Sequence, residues 1–405
     1  MGLNGVKVNR IEGGLGRKNP STDGVVLFVI GGAVAATGLA LKLAKQIISL
    51  SEAEAIGITA SFDDTNDILA HYHIDEFFRI NPNGNLFVVL DDDTLTTANI
   101  KTILKENSAI KGIGFVRNAA TAPADMDVYV SAYQTMVTEL RAESRSISSV
   151  FVEGGVFVDT TLISAYPDAR AYDAENVSIV IAQDPIIRAV KTAHETYAAI
   201  GAALGAFSVR SVNENIGSLN IENKPSAYKG NATYPLTDAD RQRWLSAKLQ
   251  DGRDFSSLTT AEIAALAAKG YITVGFYNGF AGYYFTDSHT CVESASDYAR
   301  IENNRVWDKA ATLGRTALLP RVKGNLLKEP TTGFIRDIEA QELETLAQNA
   351  IETMEAAGEI SGVSIYVDPS QVVSDNSPLI VKGNVLFNDI LHAMEFDLGL
   401  TNKLS

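Results

Sequence analysis

The sequence predicts an α/β chain: a first α/β domain with a mainly parallel sheet, then a smaller carboxyl-terminal α+β domain, with extended arms at both ends. Three observations predict it. From Val25 to about Leu204, short β-branched runs alternate with helical stretches, the pattern of βαβ units. In the last third, a long amphipathic helix is followed by two strands. At either end lie short alternating segments, Val6-Lys7-Val8 and Met394-Glu395-Phe396-Asp397-Leu398-Gly399-Leu400, with no neighbouring element to cover them.

The strand runs are Val25–Ile30, Leu86–Leu90, Gly112–Val116, Ser148–Val152 and Val177–Ile181. Helices are expected at Thr65–His71, Thr97–Asn107, Ala124–Ala142 and Pro185–Leu204, with Asn81-Pro82-Asn83-Gly84 as a turn. Residues 211–254 are punctuated by Asn, Gly and Pro and read as loops. Thr259 or Thr260 caps a helix that runs through Ala268 and closes at Gly270. Tyr271–Tyr284 reads as a hairpin around Asn278-Gly279. A helix from about Tyr298 stops before Pro320, and another from Phe334 to about Ala357 ends at Gly358. The second repeats Leu343, Leu346, Ala347, Ala350, Ile351 and Met354 on one face and carries Glu339, Glu342, Glu344, Glu352 and Glu355 on the other. Strands follow at Val363–Val367 and Leu379–Lys382.

With 405 residues, the chain exceeds one ordinary core and implies two or three domains. The expected divisions are an arm at 1–20, domains at 21–257 and 258–392, and a second arm at 393–405. Hydrophobic residues at 46% and charged residues at 20% are a normal globular balance. A formal charge of −15 argues against nucleic acid and against anionic lipid, both of which need clustered cations, and suits basic protein partners. The single cysteine, Cys291, excludes an intramolecular disulfide and a Cys-rich zinc site.

The residues offer no clear catalytic constellation, and no cofactor is expected. His71 and His73 lack the HExxH context, and His194, His289 and His392 stand apart. Gly13-Gly14-Leu15-Gly16-Arg17-Lys18 lacks the GK[ST] ending of a phosphate loop. Asp91-Asp92-Asp93 follows a strand, where α/β enzymes bind metals; a solvated acidic loop that caps the next helix is the plainer reading. A metal-dependent hydrolase using Asp91, Asp92 and His73 is one alternative. A membrane-anchored protein using the uncharged run Gly24–Leu41 is another, although Gly31-Gly32 breaks that run and its first half suits a strand. The terminal strand places Met394, Phe396, Leu398 and Leu400 on one face, and such a strand must join a sheet. The pattern leaves open whether that sheet is its own or a neighbour's.

Read in order, these elements resemble contractile tail sheath proteins of phages and related injection systems. The resemblance runs through Gly270-Tyr271, Gly282-Tyr283-Tyr284-Phe285-Thr286-Asp287-Ser288-His289-Thr290 and Tyr298-Ala299-Arg300-Ile301-Glu302-Asn303-Asn304-Arg305-Val306-Trp307-Asp308. It continues through Gly362-Val363-Ser364-Ile365, Lys382-Gly383-Asn384-Val385 and the end strand. Upstream, Ser21-Thr22-Asp23-Gly24 with Gly31-Gly32, and the stretch Ile47–Gly57, are similar to the family's opening. His289-Thr290 replaces the usual Arg-Thr, and Leu318-Leu319-Pro320-Arg321 replaces a longer connection, which marks a divergent branch.

The resemblance implies a non-catalytic subunit of hexameric rings stacked around an inner tube. It places the carboxyl-terminal domain inward and the α/β domain outward. It implies that the inner sheet is completed by the arms of neighbours, through Val6, Lys7, Val8 and Met394, Phe396, Leu398, Leu400. Its partners would be further copies of itself, an inner tube protein, and baseplate and tail-terminator proteins. The glutamate face of the long helix would then either meet the tube or a neighbour, or remain solvated. The particle would be a virion tail or another contractile particle, assembled in the bacterial cytoplasm.

Overall fold

The computed structural model describes residues 22–116, 122–374 and 377–400. Val6, Lys7 and Val8 lie outside the described residues. The chain forms two compact units, through Asn304 and from Arg305.

The larger unit is built on a seven-stranded sheet. Its strands are β1 (Val26–Ile30), β2 (Lys45–Ile47), β3 (Leu86–Leu90), β4 (Gly112–Val116), β5 (Ser149–Glu153), β6 (Val177–Val180) and β9 (Tyr271–Ile272), in the order β2-β3-β1-β4-β5-β6-β9. Only β2 runs antiparallel; β1 lies between β3 and β4, with Val26 opposite both Leu86 and Gly112. Every residue of β1, β3, β4 and β5 is buried, as a parallel sheet covered on both faces requires. The strand alternation sorts these residues: Val26, Phe28 and Ile30 enter one core, and Leu27 and Val29 the other.

The helices of this unit are α1 (Leu50–Ala55), α2 (Ala60–Asn66), α3 (Ala70–Ile80), α4 (Thr97–Glu106), α5 (Met126–Ala142), α6 (Pro185–Val190), α7 (Ile200–Val209) and α8 (Thr260–Ala268). Residues of α3 and α7 pack into one core; those of α4 and α5 pack into the other. Helix α7 is buried on every side and lies close to α3, because a Cβ on Gly201 would sit 2.5 Å from the His73 carbonyl oxygen. Short strands β7 (Ala182–Gln183) and β8 (Lys248–Leu249) pair with each other, as do β10 (Val274–Gly275) and β11 (Tyr284–Phe285).

Several expectations are corrected here. The helix expected over 65–71 is two helices, α2 and α3, separated by Asp67 in the left-handed region at φ 54°. The stretch 185–204 divides into α6 and α7. The loop-like residues 211–254 contain little regular structure, yet they bury Tyr234, Leu236 and Trp244. Beyond residue 257, β9 adds to the parallel sheet of the larger unit, with Ile179 opposite Tyr271. Thr259, rather than Thr260, caps α8, in a reciprocal box with Glu262.

Helix α9 (Ile301–Leu318) begins in the larger unit; the smaller unit adds α10 (Asp337–Ala356), β12 (Ile360–Tyr366) and β13 (Lys382–Phe387). The expected apolar repeat buries Leu343, Ala347, Ile351 and Met354, and Gly358 ends α10 at φ 73°. Leu346, expected on the same face, is 36% exposed. Ile335, Ala340, Leu343 and Val367 form a small core with Leu318, Leu326, Val373, Leu379 and Val381 packed against it. The last strand begins at Lys382, where the sequence pattern ends one.

Candidate assembly surface

Strands β12 and β13 form an antiparallel sheet of two strands, with Val363 opposite Val385 and Tyr366 opposite Lys382. A two-stranded sheet is marginal on its own, and α10 packs on β12 to support this one. Val363, Ile365, Val385 and Phe387 are partly buried, whereas Ser364, Tyr366, Lys382, Asn384 and Leu386 are exposed. Among the described residues no third strand joins, so each strand keeps a free edge of backbone N–H and C=O groups.

Asn388 fixes the end of this sheet. Its amide donates to the Gly358 carbonyl at 2.8 Å and its side-chain oxygen accepts from the Ser361 hydroxyl at 2.7 Å. Beyond it, residues 391–400 form no helix or strand. The terminal strand expected from the alternation is therefore not paired within the chain. Met394, Phe396 and Leu398 are 76–80% exposed and Leu400 is fully exposed. These side chains bury little surface in a single copy.

The acidic face of α10 is narrower than the sequence suggests. Glu339 is buried, not outward-facing, because it pairs with Arg321 at 2.7 Å. Glu344 accepts from the Val367 backbone at 2.8 Å and so ties α10 to the end of β12. Glu352 accepts from Gln348 at 2.8 Å. Glu342 and Glu355 are exposed, and the exposed apolar Ile338 lies one turn before Glu342.

The hydrolase constellation does not form. His73 is fully buried on α3 among the rings of Phe28, Tyr72 and Tyr197, and its Nδ1 accepts from the Gly201 N–H at 3.1 Å. Asp91 accepts from the Thr94 and Leu95 N–H groups, and Asp92 pairs with Lys42 at 3.1 Å. Among the described residues no hydrogen bond joins His73 to either aspartate, and no group of three or more His, Cys, Asp or Glu is placed to hold a metal. Among these residues, too, no helix is long and apolar enough to cross a membrane; the Gly24–Leu41 run supplies β1 and turns.

Burial lowers the His73 pKa to about 3, so the folded chain excludes its charged form while the unfolded chain binds a proton near the ordinary value of 6.5. The associated stability is full above about pH 6.5 and is lost as pH falls toward 3. Asp63 and Asp184, raised to about 6 mainly by burial, act in the opposite direction. Both remain in a His73→Gln variant and cancel in a comparison. Urea denaturation at pH 7 and pH 5 should find wild type losing about 2 kcal/mol more than this variant; equal losses would show that His73 is not held neutral.

The fold is that of contractile tail sheath proteins. It matches a chain of the anti-feeding prophage baseplate, symmetrised six-fold, with a TM-score of 0.59 at 12% identity over 99% of both chains. The same baseplate in its contracted state gives 0.57, also at 12% identity over 99% of both chains. A sheath tail protein from Desulfitobacterium hafniense gives 0.50 at 12% identity, over 94% of this chain and 100% of that one. By sequence, residues 3–289 match the DUF2586 N-terminal domain and residues 297–405 the DUF2586 C-terminal domain, and the chain belongs to this family. No curated protein matches the sequence.

Proposed function

We propose that this chain is a non-catalytic structural subunit of a contractile tail or injection apparatus, polymerising as hexameric rings around an inner tube and contracting to drive that tube through a target envelope. The observation that carries this reading is the apolar segment 391–400, left uncovered beside a two-stranded sheet with free edges. A segment that buries little in one copy and a two-stranded sheet with free edges are complementary halves of a β-augmentation. Residues 1–20, with Val6, Lys7 and Val8, would supply a second donated strand. The expected scheme of an outer domain over 21–257 and an inner domain over 258–392, the inner one near the tube, belongs to the same proposal. The relatives of the same fold support the ring and the motion, since one comes from a six-fold baseplate and is also described contracted.

In this reading, Glu342 and Glu355 face the tube or a neighbouring copy. The partners are other copies, the tube, baseplate and tail-terminator proteins, in a particle assembled in the bacterial cytoplasm. Negative-stain microscopy of the purified full chain tests the proposal. The expected result is stacked rings or hollow tubes that lengthen with concentration; a monodisperse monomer at every concentration would overturn it.

A further inference from the structure

A different surface, on the larger unit, carries its own chemistry. From Gly270 to Thr286 there is no charged side chain, in a chain where 20% of residues are charged. This stretch contains β10, β11 and the tip between them. The tip exposes three aromatic rings within five residues: Phe276 at 52%, Tyr277 at 46% and Phe280 at 51%. It is held in shape. Gly279 and Gly282 take φ of 92° and 95°, and a Cβ on Gly282 would lie 2.6 Å from the Pro235 Cβ. Phe276 meets Tyr283 edge to face at 6.1 Å, and Tyr277 meets Tyr284 at 5.8 Å.

Beside the tip is a cavity of about 450 Å³, lined by Phe255, Ile263, Phe276, Tyr277, Asn278 and Thr286 among others, all uncharged. The polar groups here divide into two sets. The Tyr284 hydroxyl donates to the Ala281 carbonyl at 3.1 Å and the Thr286 hydroxyl to the Thr273 carbonyl at 3.2 Å, so both are committed. The Asn278 amide and the Tyr277 hydroxyl belong to exposed residues of the cavity wall and make no hydrogen bond among the described residues.

We propose that this tip is a binding site for a neutral carbohydrate. An ionic ligand would need a countercharge, and the cavity wall has none. A lipid chain would leave the amide and phenol groups unpaired. A sugar meets both features: its weakly positive C–H face stacks on the negative face of an aromatic ring, and its hydroxyls pair with neutral amide and phenol groups. The cavity is concave and within the usual range of small-molecule sites, about 300–1,000 Å³.

A neutral glycan array probed with the full chain, followed by calorimetric titration with maltose and with N,N′-diacetylchitobiose, tests the proposal. Retention of neutral glycans is expected, with affinity falling at least tenfold in Phe276→Ala and in Tyr277→Ala and only a few-fold in Tyr277→Phe, which keeps the ring. All these positions are exposed, and unchanged thermal unfolding would establish that the variants fold. Absence of neutral glycan binding, or binding that both alanine variants retain in full, would overturn the site. Loss of self-association in the alanine variants without any sugar binding would also overturn it, marking the tip as a contact between copies.

Discussion

Deleting residues 393–405 leaves the chain as stable as before and stops it assembling. Met394, Phe396, Leu398 and Leu400 are largely exposed, so a single copy loses little buried surface when they go. Captured by a neighbour, the same four side chains contribute roughly 1.5–3 kcal/mol each, or about 6–12 kcal/mol before the entropy of ordering the segment is subtracted. That is a large fraction of any contact between copies. Thermal unfolding of the truncated chain should superimpose on that of the full chain, while sedimentation and negative stain find no rings or tubes. Phe396→Asp with Leu398→Asp should reproduce the loss without shortening the chain. A truncated chain that melts markedly earlier would mean that the segment completes the sheet of its own copy.

Glu76→Ala should destabilise the larger unit by about 3–5 kcal/mol, because it strands the buried Arg79 without its partner, whereas Arg243 keeps Asp75 at 2.9 Å. Glu76 is 1% exposed and accepts Arg79 through two hydrogen bonds of 2.8 Å each. It also lies 3.3 Å from the Arg243 Nε and accepts from the Trp244 indole at 3.2 Å. The network joins α3 to the irregular segment that buries Trp244, and Asp184 accepts the Trp244 N–H at 3.2 Å. Chemical denaturation followed by tryptophan fluorescence in a Trp307→Phe background, which leaves Trp244 as the reporter, measures the change; a loss below about 1 kcal/mol would place the network with weak surface pairs.

The same network explains what sequence reading reached and what it missed. The central strands were legible because both faces are covered, which selects unbroken β-branched and aromatic runs such as Val26–Ile30 and Leu86–Leu90. Helix α3 carries the helical repeat Ala70, Ile74, Phe77 and Phe78, but its buried His73 and Glu76 were not legible, because ring contacts and ion pairs to distant segments hold them inside and no periodicity reveals those. Residues 211–254 read as surface loop because their order comes from distant partners, as when the Tyr234 hydroxyl donates to the Ile80 carbonyl across the sequence at 2.6 Å. Glu339 looked like part of a solvated face for a related reason: its partner, Arg321, lies in the 3-10 turn Leu319–Arg321 before α10 and no periodicity reveals it. The alternation of Met394–Leu400 was plain in the sequence. Whether it would pair within the chain was not, since alternation fixes which side chains share a face and says nothing about which sheet receives it.

Asn388 has a metric consequence. By tying the end of β13 to the turn at Gly358, it fixes the point from which the terminal segment departs. The residues from Asp389 to Leu400, the last apolar side chain of the segment, can extend by about 3.3 Å each, a leash of roughly 40 Å. Any lattice of these subunits linked by that segment has a largest permitted spacing between anchor and receiving sheet. A change of lattice geometry within that radius can leave the links unbroken, while a wider one must pull them out.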